Sequence, residues 1–260
     1  MDEKKPLILV VNDDGITAPG INALVSFVKG FGEVIVVAPD KAQSGMGHAI
    51  TMNRPLRLNK FDNIHGAEAY SCSGTPVDCI KFGTKVIAKN RKIDLVVSGI
   101  NHGLNSSINV IYSGTMSAAV EGALEGVPSI GFSLDNHSFD ADFSACEHIV
   151  HTVVQFLLDK PREKRYCLNV NIPNVRKEEL NGIKICRQAK AYWNERFVER
   201  RDPFGEPYYW LTGDFIYLDE GEDTDVWALK NNYVSVVPTK SDLTDYNAIT
   251  TLKDGKEFVQ

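Results

Sequence analysis

The stretch Leu7-Ile-Leu-Val-Val-Asn-Asp-Asp-Gly15, read onward to Ala38, decides the fold. Leu7–Val11 is an unbroken apolar run with β-branched residues, the pattern of a strand buried on both faces. Asn12-Asp-Asp-Gly15 reads as a turn. Ile21, Leu24, Val25 and Val28 then recur at i, i+3, i+4 and i+7, one face of a helix, with Gly30 and Gly32 beyond its end. Val34-Ile-Val-Val-Ala38 is a second buried strand. Strand, helix and strand within about 30 residues form a crossover unit, which implies a parallel sheet.

The same rhythm continues downstream. Residues 77–89 predict a helix, Asp94–Ser98 a strand, 114–125 an Ala-rich helix and Ser129–Leu134 a strand. Residues 142–158 carry Cys146, Ile149, Val150, Val153, Val154 and Leu157 on one helical face, and Cys167–Val170 is a further strand. The expected class is α/β: a Rossmann-like, doubly wound, mostly parallel sheet in a single domain over residues 1–260. Two segments depart from it. Residues 50–72 hold short alternating runs and predict a small inserted hairpin. Residues 190–220 gather Tyr192, Trp193, Phe197, Phe204, Tyr208, Tyr209, Trp210, Phe215 and Tyr217 around the turn cluster Asp202-Pro-Phe-Gly-Glu-Pro207. This predicts an extended aromatic β-hairpin arm. A lone two-stranded ribbon is marginal in water, and an aromatic one exposes an apolar patch. With Glu195, Arg196, Glu199 and Arg200 keeping one face wet, the aromatics are expected to meet a partner.

Composition narrows the function classes. Of 260 residues 43% are hydrophobic and 24% charged, which excludes bulk disorder, and the formal net charge of -6 speaks against a polymer of nucleic acid as ligand. No stretch approaches the roughly 18 apolar residues of a membrane span, so no membrane role is expected. The opening Met1–Pro6 is charged, and the apolar run after it is too short for a signal peptide. Five cysteines at irregular spacing, with no Cys-x-x-Cys, read as buried inert thiols in a reducing compartment; the expected location is the cytoplasm.

Ligands of open α/β sheets bind beyond the carboxyl ends of the strands. Three polar loops converge there: Asn12–Gly15, Pro39–His48, and Gly99–Asn105. Asp13 and Asp14 are adjacent carboxylates at a strand end, and burying both requires a cation or a proton. For both to serve one site the chain must have turned, which Gly15 permits. Oxygen donors without a His or Cys cluster suit a hard cation, Mg²⁺, Mn²⁺ or Ca²⁺, rather than Zn²⁺. The competing reading is a plain turn in which one Asp caps the following helix. Tyr112-Ser-Gly-Thr115 opens a helix, either as an anion site of free N–H groups and hydroxyls or as an ordinary cap. Lys41, His48 and His102 lie near these loops and have the chemistry to polarise a phosphate or shuttle a proton.

In order along the chain stand Asn12-Asp-Asp-Gly15 with Ala18-Pro-Gly20, Val37-Ala-Pro-Asp40, Ser44-Gly45, Gly74-Thr-Pro-x-Asp78, Ser98-Gly-Ile-Asn101 with Gly103 and Asn105, Tyr112-Ser-Gly-Thr115 and Asn169-x-Asn-x-Pro173. Together they resemble the SurE survival-protein family, from residue 7 to about residue 246. The resemblance implies a metal-dependent phosphomonoesterase of nucleoside monophosphates, a 5'-nucleotidase whose range extends to 3'-nucleotides and short polyphosphate. It implies one divalent cation per subunit held by Asp13, Asp14, Ser44 and Asn101. It puts Asn12, Ser113, Gly114 and Thr115 on the substrate side and makes Asp13 or Asp14 the catalytic base or nucleophile. It also implies an arm exchanged between subunits, in a homodimer or a tetramer built from dimers. Two departures from the family pattern are Ser106-Ser-Ile-Asn109, where a glycine and acidic residues are usual, and Asn232 in place of a glycine. A haloacid-dehalogenase-type phosphatase would need Asp-x-Asp after the first strand, where Asn12-x-Asp14 stands. A response-regulator receiver would need an aspartate ending its third strand, and a dinucleotide dehydrogenase a Gly-x-Gly-x-x-Gly turn. A nucleotide-binding regulator without turnover is the alternative outside enzymes.

Overall fold

The computed structural model describes residues 5–161 and 166–254. β1 (Leu7–Val11) is buried throughout and sends Ile8 and Val10 to one face, Leu7, Leu9 and Val11 to the other. α1 (Pro19–Val28) buries Ile21, Leu24, Val25 and Val28 and returns the chain to β2 (Glu33–Pro39), parallel to β1. β3 (Leu58–Ile64) and β4 (Ala67–Cys72) form an antiparallel pair, and β4 runs parallel to β2. That hairpin therefore extends the main sheet at its edge, and residues 50–57 form no strand. α2 (Pro76–Phe82) leads into a wider helical turn, Gly83–Ile87, shorter than the helix expected over 77–89. Thr84 Oγ1 donates back to the carbonyls of Ile80 and Lys81 at this junction, competing with the regular ladder.

The chain then crosses β1. β5 (Leu95–His102) pairs parallel with the other side of β1, followed by α3 (Gly114–Leu124), β6 (Ser129–Leu134), α4 (Cys146–Leu158) and β7 (Cys167–Ile172). α4 starts at Cys146 rather than near 142, because Asp142 closes a turn on the N–H and hydroxyl of Ser144. β8 (Ile183–Ile185), the arm strands β9 (Ala191–Arg201) and β10 (Pro207–Tyr217), α5 (Asp225–Lys230), β11 (Val234–Thr239) and α6 (Tyr246–Asp254) complete the order. The nine-stranded sheet runs β3-β4-β2-β1-β5-β6-β7-β11-β8, parallel from β4 to β7, with β11 antiparallel to β7. One core joins the sheet to α1 and α4, and a second joins its other face to α2 and α3. This is the doubly wound class, with a separate antiparallel hairpin β9–β10. No helix among the described residues is long and apolar enough to cross a membrane.

The strand order reverses at β1, between β2 and β5. Beyond the carboxyl end of β1 lies the topological switch point, where such sheets place ligands.

Candidate active site at the carboxyl end of β1

Asp13 and Asp14 occupy that switch point. Gly15, at φ +101°, takes the left-handed turn directly after them, and the two carboxylates lie near enough to repel each other. Gln43 N–H donates to the Asp13 carbonyl at 2.7 Å, and Ile16 N–H to the Pro39 carbonyl at 2.9 Å. These bonds lay the loop after β2, with exposed Ser44 next to Gln43, against the aspartate turn. From the other side, His102 N–H donates to Asp14 Oδ2 at 3.4 Å. Its neighbour Asn101 spends its Nδ2 on the Gly103 carbonyl at 2.7 Å, which leaves Oδ1 as the group able to ligate. The β5–β6 register slips between Ser98 and Asn101, and this irregularity re-aims the end of β5.

Asp13 is 4% exposed and accepts the Thr115 hydroxyl at 2.6 Å, together with the Thr115 N–H. The N-terminus of α3 thus already faces an anion, and that anion is Asp13. Ser113 Oγ caps α3 by accepting Met116 N–H at 3.0 Å. The two hydroxyls that the resemblance puts on the substrate side are both engaged within the protein. Gly114 sits against Asp13, and a Cβ there would lie 2.7 Å from Asp13 Cβ. Asn12 is 1% exposed; its Nδ2 holds the Gly15 carbonyl at 2.8 Å, and its Oδ1 is buried without a protein partner.

Burial, then repulsion from Asp14, pushes the Asp13 carboxyl up to about 6, against the lowering effect of the Thr115 bonds. Burial also raises Asp14. No described lysine or arginine pairs with either carboxylate. Asp13 is buried and Asp14 half-buried, neither has a lysine or arginine partner among the described residues, and Asn12 Oδ1 beside them is buried without a partner; with the hydroxyl of Ser44 and the carboxamide oxygen of Asn101 on the flanking loops, the donors available are all oxygen, which suits a hard divalent cation. The pH consequence has a definite sign. A carboxyl with its folded pKa raised from 3.8 to about 6 contributes stability below 3.8 that is lost as pH rises through 6. In chelator, unfolding free energy is expected to fall between pH 4 and 7.5 by up to roughly 3 kcal/mol from Asp13. Denaturant melts of wild type and Asp13→Asn measure this; the variant should lose most of the slope, and added Mn²⁺ should offset the loss in wild type.

Several residues that hold the loops carry no role in the sequence reading. In Gly74-Thr-Pro-x-Asp78, Thr75 and Asp78 form the capping box of α2, and both also reach the loop beyond Ser44. Thr75 Oγ1 donates to the Ala49 carbonyl at 2.7 Å, and Thr51 N–H donates to Asp78 Oδ1 at 3.2 Å. Glu121, 6% exposed, binds His48 at 2.9 Å and Lys81. Burial alone would raise its carboxyl, but Lys81 and His48 outweigh that and lower it. Glu121, the acid in the interior of the Ala-rich helix, was the available signal. His48 is thereby a loop anchor, and the lysine that shares the Glu121 carboxylate with it is Lys81, not Lys41. The two departures from the family pattern fall on left-handed backbone: Ser107 at φ +52° and Asn232 at φ +57°. Asparagine tolerates that conformation, and Ser107 is held in it by Asp225 Oδ2 on its N–H at 2.7 Å and by its hydroxyl on the Ala189 carbonyl at 2.8 Å.

Comparison with known proteins adds the following. A family profile described as "Survival protein SurE" matches residues 8–195. A protein of Flavobacterium psychrophilum named "5'-nucleotidase SurE" is 55% identical over 96% of this chain and 97% of its own. One of the same name from Bacteroides fragilis is 47% identical over 97% and 98%. The crystal structure of the SurE protein from Aquifex aeolicus superposes with a TM-score of 0.81 at 42% identity, covering 97% of this chain and all of that one.

Proposed function

The chain belongs to the survival protein SurE family, and from that membership we propose that it is a 5'-nucleotidase, a hydrolase that removes phosphate from nucleoside monophosphates. One observation carries the assignment to a site: Asp13 and Asp14, adjacent and largely buried at the switch point, are paired with no lysine or arginine among the described residues, and only His102 lies beside Asp14. Asp13, Asp14, Ser44 and Asn101 would hold a divalent cation, Mg²⁺ or Mn²⁺ in first place and Ca²⁺ as a third fit. Such a cation, when bound, neutralises phosphoryl oxygens and lowers the pKa of water.

The rest falls to the chain's own groups. Thr115 fixes Asp13 with a hydroxyl and an N–H, so Asp13 serves as a rigid ligand. Asp14 accepts only the long bond from His102 N–H and keeps Oδ1 to take a proton from the attacking water. The first-turn N–H of Gly114 and the dipole of α3 supply positive potential to a phosphoryl oxygen. Asn12 Oδ1, buried and unpartnered, accepts a hydrogen bond from bound water or from a substrate hydroxyl. Phosphate release measured across 5'- and 3'-monophosphates of the four common nucleosides, and across short polyphosphate, tests the reading; activity on none of the monophosphates refutes it.

Assembly belongs to the same proposal. Phe197 (71% exposed), Phe204 (91%) and Trp210 (64%) stand on or at the tip of β9–β10, an apolar surface without a sheet beneath it. We assign this arm to a homodimer or a tetramer of dimers. Deleting residues 195–215 behind a short Gly linker should convert the oligomer to monomer or aggregate while leaving all four cation ligands in place. Multi-angle light scattering reads the result, and a full-length chain already monomeric at micromolar concentration contradicts it. The five cysteines are free and buried, which supports a reducing compartment, the cytoplasm.

A further inference from the structure

Asn169-x-Asn-x-Pro173 has no role in the chemistry above, yet it sits beneath it. Asn169 and Asn171 are two residues apart on β7 and so share a face. Both are buried, at 2% and 0% exposure, as are Asn105 at 6% and Ser133 at 0%. In a sheet covered on both faces the three strand positions, Ser133, Asn169 and Asn171, would ordinarily be apolar, and four buried polar side chains are tolerated only when they are paired.

They pair in a closed ring around one backbone unit. Asn105 N–H donates to Asn171 Oδ1 at 2.8 Å, and Asn171 Nδ2 donates to Asn169 Oδ1 at 2.9 Å. Asn169 Nδ2 returns to the Asn105 carbonyl at 2.8 Å. Asn105 Nδ2 then donates to Ser133 Oγ at 2.8 Å. Two side chains thus hold a loop residue the way a neighbouring strand would. Ser133 is the register partner of Asn171 on one side and of Asn101 on the other, so the ring lies in one transverse row with Asn101.

Two residues before Asn105, the Gly103 carbonyl orients the Asn101 carboxamide, and Gly103 N–H is itself tied to the Leu134 carbonyl at 2.8 Å. The direction of that carbonyl depends on the chain being fixed on both sides of it. Leu134 fixes one side and the asparagine ring fixes the other.

We propose that Asn105, Asn169, Asn171 and Ser133 are positioning residues for Asn101, holding its Oδ1 in the ligating direction through the Gly103–Asn105 loop. The proposal rests on the cation reading of the Asp13–Asp14 site. Partners that orient a metal ligand typically change affinity about 10–100-fold when removed.

The experiment measures Mn²⁺ affinity directly, by the electron paramagnetic resonance of free Mn²⁺, in the full chain. Asn171→Ala should raise the Mn²⁺ dissociation constant about 10–100-fold. Its turnover number at saturating Mn²⁺ should return to within a few-fold of wild type, a split between metal affinity and turnover that general loosening would not produce. Amide exchange of Gly103–Ser107 should speed up selectively. Ser133→Ala removes a single acceptor and serves if Asn171→Ala does not fold; it should shift the dissociation constant in the same direction, at least three-fold. Wild-type affinity in a folded variant overturns the proposal alone. A wild-type protein that binds no Mn²⁺ overturns the cation reading and the proposal with it.

Discussion

Asp14→Asn is expected to lower kcat/KM for adenosine 5'-monophosphate by about 10³-fold or more, because charge stabilisation by a bound cation is worth several kcal/mol and each 1.36 kcal/mol is tenfold. The substitution keeps the side-chain volume and leaves an oxygen for His102 N–H, so the fold should persist. Stability without added metal should hold or rise, since repulsion from Asp14 is one of the causes that push the Asp13 carboxyl up. Mn²⁺ binding should be lost together with activity. Steady-state phosphate release, calorimetric metal titration and a thermal melt on one preparation check all three. A variant that keeps activity, or one that loses it only by unfolding, contradicts the placement of the site.

Gly114→Ala is the second large effect, and its sign separates packing from helix propensity. Alanine is the better helix former by up to about 1 kcal/mol, so propensity alone predicts stabilisation. The added methyl, however, would lie 2.7 Å from Asp13 Cβ and 2.9 Å from its Oδ2. Asp13 has little room to yield, with its carbonyl held by Gln43 N–H and its carboxylate by Thr115. The expected result is a loss of about 1–3 kcal/mol in denaturant melts. Displacing the rigid carboxylate should also cost about 10²-fold in kcat/KM, the scale of a 1 Å misplacement. Raised stability with intact activity would show that α3 does not press on Asp13.

Much of this was legible before the structure. The Leu7–Ala38 stretch carries the parallel unit because an apolar strand, an i, i+3, i+4, i+7 face and another apolar strand permit little else. The position of Asp13 and Asp14 follows from the sheet, since polar loops of a doubly wound fold gather at one edge. The use of Thr115 was not legible. A hydroxyl in the first turn of a helix reads equally as cap or anion ligand, and only the approach of α3 to β1 decides for Asp13. The late strands escaped for another reason: β8 is three residues long at a sheet edge, and β11 ends in Val237-Pro238-Thr239, where Pro238 obscures the pattern. Asn169 and Asn171 interrupt the apolar run of β7, a visible anomaly, but their partner is a loop 64 to 66 residues away along the chain.

The central claim is that the paired carboxylates hold a divalent cation without which the chain does not hydrolyse nucleoside monophosphates. The most direct measurement is phosphate release from adenosine 5'-monophosphate by protein stripped with chelator, its metal content verified by elemental analysis, and then titrated with Mn²⁺ or Mg²⁺. The account predicts no release above background in the stripped protein and saturable recovery with the added cation. Undiminished release from protein verified as free of divalent metal would contradict it.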